Sequence, residues 1–85
     1  MSIEQAKAGV ASSGQSASQA IAQLQGAKQT LDQAVSTLAA ATQGSSNSSV
    51  DQAIGYYRQA QNKIDELVSM IGAGVQTGNQ YAASL

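Results

Sequence analysis

Apolar residues recur every seven positions along most of the chain. From Ile3, one row reads Ile3, Val10, Ala17, Leu24, Leu31 and Leu38. Three residues on, a companion row reads Ala6, Ser13, Ala20, Ala27, Ala34 and Ala41, and Ile21 and Val35 widen the stripe on one flank. After a break the pattern resumes with Val50, Tyr57, Ile64, Ile71, Gly78 and Leu85, accompanied by Ala53, Ala60, Leu67, Gly74 and Tyr81. Ile54, Val68 and Val75 extend this second stripe on one side, and Tyr56 and Met70 on the other. Seven residues make close to two helical turns, so rows held this long predict coiled-coil-like helices. No stretch sustains the two-residue alternation of a strand.

The break is Gln43-Gly44-Ser45-Ser46-Asn47-Ser48. Gly44 can take positive φ and terminate a helix, and the serines and asparagine favour turns. Ser49 with Gln52, and Ser2 with Gln5, carry the spacing of a capping box at a helix start. Asp51 falls in the first turn of the second helix, where the dipole favours negative charge. The expected organisation is one domain over residues 1–85: helix 1 at about 3–42, a turn at 43–49 and helix 2 at about 50–83. Each helix would be on the order of 50–60 Å long. The short connection makes them antiparallel neighbours. The fold class expected is therefore all-α, a two-helix hairpin completed to a four-helix bundle or larger helical assembly by association.

Association is expected because a chain of 85 residues has little core of its own. Cysteine and histidine are absent, which removes disulfides and thiolate or imidazole zinc sites as staples. Helix 2 is also apolar over a wider arc than one neighbour covers. Proline is absent too, which permits long helices. A flexible low-complexity chain is the structural rival for so Gln/Ser/Ala-rich a composition, but the periodic rows persist through the bias.

Charge narrows the partners. Net charge is −1, and Lys7, Lys28, Arg58 and Lys63 are scattered, which argues against a nucleic-acid footprint or an anionic membrane surface. Only 11% of residues are charged, so the Gln/Ser/Thr surface repels its copies weakly and self-association is easier. The apolar run from Leu67 to Val75 is too short and interrupted to form a transmembrane segment, and no secretory signal peptide is visible.

Seven of the eight glycines fall inside the expected helices, each costing roughly 1 kcal/mol relative to alanine. Folding about the turn is expected to set Gly14 near Gly78, Ala17 near Val75, Leu24 near Val68 and Ile71, Leu31 near Ile64, and Leu38 near Ile54. Gly9, Gly14, Gly72, Gly74 and Gly78 then gather toward the open end. They could let the helices approach closely, form a notch for another chain, or simply be tolerated by packing elsewhere.

The inventory offers no catalytic, metal-binding or cofactor-binding constellation. Nucleophile–base pairs lack His and Cys. Asp65-Glu66, adjacent on a helix, diverge by about 100° and read as a solvated face. Neither calcium-loop spacing nor a phosphate-binding glycine motif is present. An enzyme is not expected, nor any cofactor. The seam within the hairpin is assigned to Ile3, Val10, Ala17, Leu24, Leu31, Leu38, Val50, Tyr57, Ile64, Leu67 and Ile71. A partner interface is assigned to Ile21, Val35, Tyr56, Val68, Met70, Val75 and Tyr81. Tyr56 and Tyr57 offer large rigid surfaces with one polar tip; Tyr57 is read as filling the seam beside Leu38, whereas Tyr56 is harder to bury within one hairpin.

The opening Met1-Ser2-Ile3-Glu4-Gln5-Ala6-Lys7-Ala8-Gly9-Val10, the Gln43-Gly44-Ser45-Ser46 turn and the ending Tyr81-Ala82-Ala83-Ser84-Leu85 resemble the small hairpins of type VII secretion, the Trp-X-Gly family. The likeness is greatest to hairpins encoded beside actinobacterial polymorphic toxins. It covers the whole chain as pattern and composition. It implies a hairpin that pairs with itself as a homo-oligomer, or with a toxin's helical leader, for export. It also implies a cytoplasmic or secreted location without a classical signal peptide, a bacterial extracellular one included. The Trp-X-Gly turn is absent here, and Tyr81 is followed four positions later by Leu85 where the family's export signal has an acid. A partner would then supply that signal. A second plan of this size is the needle subunit of type III secretion, whose turn contains proline; its mechanism, polymerisation of a hairpin into a filament or tube, is the rival expectation.

Overall fold

A computed structural model describes all residues from Met1 to Leu85 as two long helices, α1 (Ile3–Ala41) and α2 (Ser48–Ala83), with no strand. The first helix starts as its sequence dictates. The Gln5 amide donates to Ser2 Oγ and the Ser2 amide donates to Gln5 Oε1, both at 3.1 Å, which closes a reciprocal capping box. At its far end the Thr42 hydroxyl and amide both donate to the Leu38 carbonyl, at 2.6 and 3.1 Å. Gly44 then adopts φ +84°, where a Cβ would be strained, and reverses the chain.

The second helix starts two residues earlier than the sequence indicates. Its cap is Asn47, whose Oδ1 accepts from the Ser49 amide at 2.8 Å. Ser49 is therefore inside the helix and not its cap. The Asn47 amide in turn donates to Ser45 Oγ at 3.2 Å, so the loop's own side chains satisfy its backbone.

The molecule is a rod of 64 × 14 × 14 Å with a radius of gyration of 19.3 Å. A compact domain of this length would have a radius near ~12 Å. Its accessible surface is 6078 Å², against about 4,700 Å² for a globular protein of this mass. Only Val35, Gln61 and Ile64 are buried, and no side chain is fully enclosed.

Candidate functional site

The seam between the helices is built from rows three and four residues apart, but not from all the rows expected. On α1 the half-buried positions are Val10, Ala17, Leu24, Leu31 and Leu38 together with Gly14, Ile21, Lys28 and Val35, the cap Thr42 continuing this second row; Val35 is the most enclosed at 6% exposure, and Ala6, Ala20 and Ala34 of the companion row are half-buried as well. On α2 they are Val50, Ile64, Ile71 and Gly78 together with Ile54, Gln61, Val68, Val75 and Ala82, with Ala53, Gly55 and Ala60 half-buried beside them. The first row is the expected one. The second lies four residues after it, not three, because that row holds the bulky Ile21, Val35, Ile54, Val68 and Val75. Burying these hides more apolar area than burying the alanine row.

Several assignments are corrected by this one-step rotation. Ile21, Val35, Val68 and Val75 belong to the seam within the hairpin and are not an outer partner face. Leu67 lies outside the seam and is exposed; Tyr57 and Ile3 occupy its row but remain exposed near the two ends. The helix register shifts as well. Gly14 faces Val75, whose Cγ1 would lie 3.9 Å from an added Cβ, and Gly78 faces Val10 at 3.8 Å. Thus the two glycines each receive a valine and do not oppose one another. Gly9, Gly72 and Gly74 have open space where a Cβ would be, so they are not close-packing positions within the hairpin.

With the seam rows taken as heptad positions a and d, the helices run antiparallel and their flanks sort like with like. Reversing one chain reverses its sense of rotation, so e lies beside e and g beside g. The e flank is charged. Arg58 donates to Asp32 Oδ1 at 2.7 Å, and Lys28, from the seam, reaches Asp65 Oδ1 at 2.7 Å. Gln61, 5% exposed, ties these groups to the seam: its Nε2 donates to the Lys28 carbonyl at 2.9 Å and to Asp32 Oδ1 at 2.8 Å, while its Oε1 accepts from Arg58 at 2.9 Å. The hydrogen bonds from Gln61 and then Arg58 hold the Asp32 carboxyl below its ordinary value of 3.8. The sequence rows alone did not find this network. Its signal was available in Lys28 and Gln61 standing at seam positions, each with an opposite or complementary group across the fold.

The g flank is different in kind. From α1 it presents Ala6, Ser13, Ala20, Ala27, Ala34 and Ala41, and from α2 Ala53, Ala60, Leu67, Gly74 and Tyr81. Tyr56 and Met70, 71% and 68% exposed, stand beside this α2 row at the neighbouring c position, with Lys63 between them. Together Tyr56, Leu67, Met70 and Tyr81 fall within about 60° of arc on α2. At the open end the same flank sinks into a groove of about 360 Å³, where Ala6, Gly9 and Ser13 face Gly74, Gly78 and Tyr81.

Asp65 and Glu66 are solvated as expected, and each has a cationic neighbour, Lys28 and Lys63. No group of acidic, Cys or His residues is placed to hold a metal ion, and no helix is long and apolar enough to cross a membrane. No protein-family model, curated protein or solved structure matches the chain.

Proposed function

We propose that this chain is a non-enzymatic helical interaction protein whose hairpin is completed by pairing with a second helical chain. The partner is another copy, or the helical leader of an exported toxin or effector, as in the type VII secretion hairpins that the sequence resembles. The observation that carries this reading is the apolar g flank, with Tyr56, Leu67, Met70 and Tyr81 exposed along a rod that encloses three residues of 85. A hairpin this thin hides too little apolar surface to offset the ordering of its chain. The absence of Cys and His from the sequence supports a binding role over catalysis. Lys28, Arg58 and Lys63 are each engaged by a carboxylate, which supports a protein partner over nucleic acid.

A subunit of a filament or tube is the second reading. Met1, Ile3 and Leu85 leave apolar surface exposed at one end of the rod, and a contact from that end to a different face of the next copy would not close.

Light scattering after size exclusion tests the first reading. The expected result is a mass of at least twice 8.6 kDa at micromolar concentration. A folded monomer that melts sharply and independently of concentration would overturn it. Long particles in negative stain would select the filament.

A further inference from the structure

We infer that the polar layer of Lys28, Asp32, Arg58, Gln61 and Asp65 is a register lock: it chooses between two heptad alignments of α1 and α2 that the apolar rows alone leave open.

Rows that repeat every seven residues fit one another again after a slide of seven. In the structure Gly14 is level with Val75 and Val10 with Gly78. Continued along the antiparallel helices, this alignment sets Leu24 level with Ile64 and Ala17 with Ile71. A slide of one heptad, about 10 Å along the rod, would set Leu24 against Ile71 and Leu31 against Ile64 instead. That seam is apolar on apolar as well, and its facing pairs are bulkier. The turn does not forbid it. Turn-forming residues run from Gly44 to Ser49, and Ser49 with Gln52 offers a second helix start beyond the Asn47 cap.

What separates the two alignments is polar. Lys28 and Gln61 interrupt the second seam row, between Ile21 and Val35 on α1 and between Ile54 and Val68 on α2. In the observed alignment they are level. Gln61 Nε2 reaches the Lys28 carbonyl at 2.9 Å, and no buried side-chain nitrogen or oxygen lacks a partner. Each helix also gives the other one cation: Lys28 meets Asp65, and Arg58 meets Asp32. After the slide Lys28 would be level with Val68, and Gln61 with Val35. The buried amide would then lose both the Lys28 carbonyl and Asp32, leaving polar atoms in an apolar seam. Asp32 and Asp65 would become neighbours on the e flank, carboxylate beside carboxylate. Both alignments bury the apolar rows, but only the observed one satisfies the polar layer. Fixing register is the best-attested use of a buried polar group in a helical seam. The slide would also carry Tyr56, Leu67 and Met70 along α1, so the layer sets the surface that any partner meets.

The chain has no cysteine, so introduced thiol pairs report the alignment directly. Gly14→Cys with Val75→Cys puts two thiols level in the observed register. Gly14→Cys with Ala82→Cys puts them level only after the slide. The full chain is oxidised at low concentration, and the disulfide formed within one chain is followed by mass. With the layer intact, the first pair should link and the second should not. Lys28→Leu with Gln61→Leu removes the polar groups and keeps the seam apolar. The second pair should then link at least about tenfold faster, with helicity by circular dichroism unchanged. Lys28→Val with Val35→Lys moves the lysine on by one heptad, level with Gln61 after the slide and at the same offset from Asp65. That variant should favour the second pair over the first.

A second pair that stays unlinked in both variants means that the turn or the apolar rows set the register, and overturns the inference. So does a first pair that fails to link, or a second that links, while the layer is intact. Loss of helicity in Lys28→Leu with Gln61→Leu overturns it as well, since the layer would then hold the fold up and not choose between registers.

Discussion

Gln61 is the one polar side chain that the hairpin buries, and all three of its hydrogen bonds reach groups on the charged flank or just beneath it. Its partners Asp32 and Arg58 are more than half exposed, so water replaces Gln61 if it is removed. Gln61→Leu, which keeps the volume and deletes the polar atoms, should therefore melt no lower than the wild type. Gln61→Ala should cost about 1 kcal/mol, mainly from the space it opens in the seam. Thermal melts followed by helical circular dichroism separate the two. Asp32 adds a pH dependence. Its carboxyl is held below 3.8 in the folded chain, so its contribution is present above that value and is lost as pH falls through the folded one. Asp32→Asn should flatten the fall in melting temperature on acidification below pH 3.8, and an unchanged slope would remove Asp32 from the account.

At the scale of the elements, each helix is held by its caps and by a thin seam. Ile64 and Val35 are its best-enclosed apolar residues, at 8% and 6% exposure. Ile64→Asp or Leu24→Asp puts an unpaired charge into that seam and should abolish cooperative melting. The glycines act in the opposite sense. Gly26 has open space where its Cβ would be, so Gly26→Ala meets no neighbour. It should raise stability by about 1 kcal/mol, the helix-propensity gap between the two residues. A loss of stability there would mean that Gly26 is packed against something the hairpin does not contain.

For the whole molecule, the controlling fact is the ratio of surface to interior. A rod 64 Å long and 14 Å thick cannot enclose a side chain from all directions. On the pairing proposed above, the chain that covers its g flank would be part of its stability, and the melting temperature should rise with protein concentration. Tyr56→Ser should weaken that dependence with little change in helicity. If it alters neither mass nor melting, Tyr56 is not at the interface.

The sequence by itself determined that there are two helices, where they are broken and which residues start the first. Heptad spacing, the Ser2–Gln5 box and Gly44 are local signals, each satisfied within one or two turns of backbone. The exposed Tyr56 and Met70 were legible for the same reason: they stand off the apolar rows. Which second row enters the seam was decided only by the tertiary structure. Rows three and four residues on are both adjacent to the first in one helix, and the choice follows from the area that two facing helices can bury together. That rotation carried Ile21, Val35, Val68 and Val75 inward and turned Leu67 out. The start of α2 and the Asp32–Arg58–Gln61 network were hidden for a related reason. Asn47 competed with Ser49 for the same cap, and the network joins residues 26 to 33 positions apart whose meeting depends on the helix register.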